Sequence, residues 1–241
     1  MKVAIHQPQY LPWLGYFDKI DQADVFVLLD DVQFKKNEWQ NRNRIKTATG
    51  WQWLTVPVLH RSAQRISEVT INPTVPWSRK HLQALTSNYG SAPFFDPHRP
   101  FFEEIYAREW TLLLDLNLAT ITYLAEALKI RAKLVLASSL PVPPEFEATD
   151  RLVAICQAVG ADTYLSGVGG KEYLDMSRFD EAGIRVLFQA FQTRPYPQRF
   201  GAFVPDLSIV DLLFNCNDHS LHILQQGRIA DEDPGDRVSS G

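Results

Sequence analysis

The chain has 241 residues, 45% of them hydrophobic and 22% charged, enough to bury one large core or a core with a subdomain. Its net charge of −4 argues against a general nucleic-acid or anionic-membrane surface, which would need a strongly basic face. No apolar run approaches the ~20 residues of a membrane span, and the first one breaks at His6, so a cytoplasmic protein without membrane insertion is expected.

Lys2 to Ile5 reads as a short strand, closed by HQPQYLP, where Pro8 and Pro12 forbid continuation. Trp13 to Gln22 sets Trp13, Phe17 and Ile20 at helical spacing, and VFVLL at 25–29 has the continuous apolar character of a buried parallel strand. Gln40 to Thr47, the turn Ala48-Thr49-Gly50 and WQWLTVPV predict a hairpin with Arg42, Arg44 and Lys46 on one face and Asn41, Asn43 and Ile45 on the other. Three cations on one face need an anionic partner, although a charged edge that guards against aggregation is the plainer alternative. Helical periods follow from Trp77, with Ser78 as cap and Gly90 as end, then over 101–110 and 112–129. KLVL at 133–136 is strand-like, Asp150 caps a helix, Asp162 to Leu165 is a strand, Lys171 to Glu181 a helix, Arg185 to Phe191 a strand, and Ser208 caps IVDLLFN.

This alternation predicts an α/β fold: an open, mostly parallel, Rossmann-like sheet with helices on both faces, in one domain over 1–226. The hairpin region at about 35–75 and the helices at 78–129 are insertions, and 227–241 reads as a disordered tail. Cys156 and Cys216 lie in apolar helical patterns and are expected as buried free thiols. His60, His81, His98, His219 and His222 share no metal-ligand spacing, and no metal site is expected. The sequence leaves the oligomeric state open.

Two stretches carry chemistry. Residues 30–46, DDVQFKKNEWQNRNRIK, leave a strand with a density of carboxylates, amides and cations that no core absorbs. Ser166-Gly167-Val168-Gly169-Gly170-Lys171 follows a strand and opens a predicted helix, where backbone N–H groups and a positive helix end suit a phosphate; a tight turn needing glycine is the alternative. His6 is a candidate general acid or base, and Asp30 a candidate to orient it or hold Mg²⁺. Gln7, Tyr10, Gln33, Asn41, Arg42 and Arg44 are expected to bind substrate, and Ser166, Gly167, Gly169, Gly170 and Lys171 to bind phosphate.

The phrases IHQPQYLPWLGYFDKI, ADVFVLLDDVQF, WQNRNRIK, WLTVPV, GADTYLSGVGGKEYLD and LSIVDLLFNC, in order over about 2–225, resemble the WbqC-like family, named after an open reading frame of bacterial O-antigen gene clusters. The resemblance implies surface-polysaccharide or related sugar metabolism and points to His6, Gln7, Pro8, Tyr10, Leu11, Pro12, Trp13, Gly15, Asp30, Gln33, Asn41, Arg42, Ser166 and Gly167. More weakly, the order of strand, loop-helix and strand is similar to the opening of nucleotidylyl transferases, but Pro12-Trp13-Leu14-Gly15 stands where their phosphate-binding histidine pair would be. The combined expectation is a transferase acting on an anionic substrate, a nucleotide-sugar or an acyl or aminoacyl group activated by ATP with Mg²⁺. The alternative is a non-catalytic nucleotide-sugar binder or scaffold of the same pathway. A protein-interaction surface built on the tryptophans is the third reading.

Overall fold

The structure, a computed structural model, describes residues 1–143, 145–146 and 148–229. The expected βαβ unit opens it: β1 (Lys2–His6) leads through the proline loop to α1 (Leu14–Asp21) and back to β2 (Val25–Leu28), paired in parallel from Val3 opposite Val25 to His6 opposite Leu28. The hairpin is β3 (Arg42–Thr47) and β4 (Gly50–Thr55), closed at Gly50, whose φ of 129° favours glycine. A smaller antiparallel pair, β5 (Val58–Leu59) and β6 (Thr70–Ile71), extends the same arm.

Three helices follow, α2 (Trp77–Tyr89), α3 (Phe95–Ala107) and α4 (Leu113–Ala127). Ser78 does not cap α2, which starts one residue earlier after Pro76, and α3 begins before Pro100, ahead of the expected position 101. Pro97 falls in the first turn of α3, where an amide hydrogen has no helical acceptor, so it costs the helix little there. The chain then returns to the sheet with β7 (Lys133–Leu136), α5 (Ala148–Ala158), β8 (Thr163–Ser166), α6 (Met176–Glu181) and β9 (Arg185–Phe188). It closes with α7 (Ile209–Cys216) and α8 (Ser220–Gln226), the latter not expected from the sequence. Ser208 caps α7 as expected, accepting from the Val210 amide, whereas Asp150 lies inside the first turn of α5 rather than before it.

β7-β2-β1-β8-β9 form one five-stranded parallel sheet. Alternate residues feed two cores. Ala4, Phe26, Leu28 and Leu165 join the larger one with α1, α7 and the inserted helices; Val3, Ile5, Val25, Val27 and Tyr164 pack on Leu152, Ile155 and Cys156 of α5 and Phe179 of α6. Cover on both faces explains why the strands read as continuous apolar runs. Cys156 and Cys216 are free and buried in different cores, and burial pushes their thiols up to about 12 and about 11. No helix among the described residues is long and apolar enough to cross a membrane.

Residues 227–229, the start of the expected tail, are held against the fold. The Gly227 carbonyl accepts from the Gln192 amide (2.9 Å), Ile229 donates to Ala190 (3.0 Å), and Arg228 pairs with Asp18 and Asp21 of α1. The rest of that expected tail, 230–241, lies outside the described residues.

Candidate functional site

Strand order reverses between β1 and β8: the chain proceeds from β1 to β2 and β7 on one side, then to β8 and β9 on the other. At such a switch point the loops leaving adjacent strands part, and a crevice opens beyond their carboxyl ends. His6 ends β1, and Gly167 follows the end of β8. A cavity of about 310 Å³ lies there, lined by His6, Gln7, Lys19, Gly167, Gly169 and Gly170 among others. It shares His6, Lys19 and Gly167 with one of about 200 Å³ that adds Trp13, Gly15, Gln189 and Phe191. Trp13 and Phe191 also wall a third, of about 600 Å³, with Trp39, Arg44, Thr193 and Asp206. Through these shared walls the three are neighbours, in a row from the sheet ends to the base of the hairpin.

Electrostatics single out two groups. His6 Nδ1 lies 3.1 Å from the Gln7 carbonyl, which only accepts, so Nδ1 carries the proton and Nε2 of the neutral ring keeps its lone pair. Burial and the neighbouring Lys19 charge pull its pKa down to about 3; the ring is half-buried, leaving an edge for a ligand. Lys19 is buried on α1 and donates to the Ile5 carbonyl (3.0 Å), and burial alone lowers its ammonium to about 7. Among the described residues no carboxylate lies within ion-pairing distance of it.

The aromatic walls are set by small residues. A Cβ on Gly15 would collide with the Trp13 ring, so glycine lets the indole lie across the start of α1, edge-on to Phe191 at 5.7 Å. Gly227 likewise lets the C-terminal segment pass close to the Phe191 ring. Arg44 lies against Trp51 and Trp39, at 5.1 and 5.7 Å, and donates to the Asp206 carbonyl (3.1 Å); its buried Nε has no partner among the described residues. Behind these walls, Gln189 donates to the Gly15 carbonyl and to Asp18, both at 2.7 Å, fixing α1 against the end of β9.

Of the expected residues, His6, Gln7, Gly167, Gly169, Gly170 and Arg44 line the groove. Others do something else. Tyr10 is fully buried, its hydroxyl 2.9 Å from His81 Nδ1 and 2.6 Å from the Tyr106 hydroxyl, because Leu11, at φ 43°, helps turn the loop inward. Asp30, expected to orient His6 or hold Mg²⁺, is buried and accepts from the Ser138 amide (3.0 Å) and hydroxyl (2.7 Å), which ties β2 to β7, and it lines none of the three cavities. Asn41 donates to the Val56 carbonyl (2.8 Å), and Gln33 is exposed on the arm, bridged to Arg65. Arg42 turns to the Asn37 carbonyl and stacks on Trp53 at 4.3 Å. Lys46 turns into the protein, donating to the Ala202 carbonyl and interacting electrostatically with the buried Asp211.

The glycine loop also differs from expectation. After Gly167 comes a 3-10 turn, Val168–Glu172, and α6 starts only at Met176, capped by Asp175, so no α-helix end faces the cavity from this loop. Ser166 is buried beneath it, where a Cβ on Gly170 would strike its hydroxyl, and Lys171 lies 5.2 Å from the Phe188 ring. Gly167 and Gly169 are different: a Cβ on either would meet nothing within 4 Å.

Lys19 is the residue that the sequence reading missed. Its signal was an Asp-Lys pair inside a helix otherwise buried from Leu14 to Ile20, since an amphipathic surface helix would have put both in water.

No solved structure matches the chain significantly, and the expected likeness to nucleotidylyl transferases is not shown. A similar protein is "Uncharacterized protein Rv1507c" of Mycobacterium tuberculosis, 41% identical over 218 residues, which cover 89% of this chain and 93% of that one. The model of the WbqC-like protein family matches residues 7–223, spanning the proline loop, the hairpin and the glycine loop, and the chain belongs to that family.

Proposed function

We propose that this protein binds an activated, anionic small molecule, a nucleotide-sugar or an acyl or aminoacyl group activated by ATP, and transfers a group in surface-polysaccharide biosynthesis in the cytoplasm. The observation that carries this is the groove itself: Lys19 and the bare glycine wall at one end, Arg44 with Trp39 at the other, joined past Trp13 and Phe191. Phosphate charge is met by Lys19, and a base or sugar ring lies on the aromatic walls, where stacking contributes about 1–3 kcal/mol per base. His6 Nε2 accepts the proton of the attacking amine or hydroxyl. The incoming anion offsets the Lys19 charge that helps to depress His6, raising it in the direction of the range in which a base works.

A non-catalytic binding module is favoured by one fact, that His6 without ligand stays neutral down to about pH 3, below that range. One experiment separates the readings. Thermal shifts with ATP and UDP-N-acetylglucosamine are expected in the wild type and are reduced in Arg44→Ala, whose loss costs about 2 kcal/mol of binding. Mass spectrometry of a mixture of ATP, an amino-sugar nucleotide and an amino acid then reports product, lost in His6→Gln with the shift retained if the chain is a transferase. Binding without product selects the binding module, and the absence of any shift overturns both.

A further inference from the structure

We propose that Lys19 is the charged anchor for a phosphoryl oxyanion entering the His6 cavity, and that it takes up a proton as the anion arrives, so that ligand and hydrogen ion bind together. This rests on the anionic-ligand reading above.

Lys19 lines both the 310 Å³ and the 200 Å³ cavities, where the groove turns from the glycine wall toward Trp13. Its Nζ has a single hydrogen-bond acceptor among the described residues, the Ile5 carbonyl at 3.0 Å. An ammonium has three hydrogens to place, and a buried one needs a counter-charge.

Among the described residues, the elements packed around Lys19 supply no such charge. From β1 comes His6, neutral, with its Nδ1 proton given to Gln7. On α1 itself, Tyr16 donates to the Gln7 carbonyl (3.2 Å), and Asp18 is committed to Gln22, Gln189 and Arg228, each at 2.7 Å. From β8 and the loop beyond it come Tyr164, whose hydroxyl burial keeps protonated, and Tyr173. Lys46 makes the contrast: it is as deeply buried, yet it interacts electrostatically with the buried Asp211 carboxyl, whereas among the described residues no acidic group acts on Lys19. For the protonated form of Lys19, the groove is the place left for a counter-charge.

Gly167 and Gly169 leave the facing wall bare, so tetrahedral phosphoryl oxygens approach without displacing a side chain. Held near 7 by burial, the amine is mostly neutral at pH 8, and an adjoining anion raises it and draws in a proton.

Isothermal titration calorimetry at pH 8 tests this on the full chain, with pyrophosphate, UDP and UDP-N-acetylglucosamine as probes in two buffers of different ionisation enthalpy. The expected result is an observed enthalpy that changes with buffer by close to one proton taken up per ligand. Lys19→Met is expected to lose at least tenfold in affinity and to show no buffer dependence; Lys19→Arg, charged throughout, is expected to bind without proton uptake. Circular dichroism verifies that both variants fold. Binding with no proton uptake in the wild type, or uptake that persists in Lys19→Met, overturns the inference and leaves the anionic-ligand reading standing. Failure of all three probes to bind overturns that reading, and the inference with it.

Discussion

Arg228→Ala is expected to destabilise the fold by about 2–4 kcal/mol, although Arg228 lies at the edge of what reads as a disordered tail. Its guanidinium donates to Asp18 (2.7 Å) and to Asp21, and Gln225 also reaches Asp21 (2.9 Å). Asp18 is completely buried, so removing the cation leaves a carboxylate inside the core with only the neutral amides of Gln22 and Gln189. Loss of one partner of a buried pair costs about 3–5 kcal/mol; the remaining amides, and the one-third exposure of Arg228, place the expectation somewhat lower. Urea denaturation measures it. A change below about 0.5 kcal/mol, as for an ordinary surface residue, contradicts the role assigned to this contact. Combining Arg228→Ala with Asp18→Asn is expected to recover part of the loss, since no buried charge is then orphaned.

Stability is also expected to fall steeply between pH 7 and pH 5. His6 and His81 are depressed by burial to about 3 and about 4 from an ordinary 6.5. Below 6.5 the unfolded chain takes up protons that the folded chain refuses. Each histidine therefore removes up to about 1.4 kcal/mol per pH unit as the pH falls, down to its folded value, or about 4 kcal/mol for the pair by pH 5. Lys19 has the same sign but acts higher, between its ordinary 10.5 and about 7, so it adds little in this window. Asp211, whose carboxyl burial raises, opposes the loss. Urea midpoints at the two pH values measure the effect, and His6→Gln is expected to flatten the profile by about one proton's slope. Stability that is level or rising toward pH 5 contradicts the burial assigned to these rings.

What the sequence made legible follows from local patterns. Continuous apolar runs marked the parallel strands, and the strand-end position of His6 and Gly167 placed them at the crevice once the strand order was known. Partners far along the chain were not legible. Asp30 is claimed by Ser138, 108 positions away, and Lys46 by Ala202, 156 positions away; no spacing rule reports either. Arg42 and Arg44 share a strand face, as alternation predicts, but only Arg44 meets Asp206 and the groove, because β3 runs out from the sheet toward the segment before α7. The proline loop hid the fate of Tyr10, since periodicity does not say which way an irregular segment turns. Lys19 was hidden by the opposite assumption, that a lysine in a helix faces water.

The central claim is that the His6–Lys19 cavity and the Arg44–Trp39 cavity are two ends of one ligand site. A crystal structure with the nucleotide or nucleotide-sugar that gives the largest thermal shift tests it most directly. The expected result is a single ligand with its phosphates at hydrogen-bonding distance, roughly 3 Å, from Lys19 Nζ and its ring against Trp39 and Arg44, passing over the Trp13–Phe191 wall. A ligand seated elsewhere, such as the cavity of about 900 Å³ ringed by His60, Arg61 and Gln64, with the groove empty, contradicts the claim.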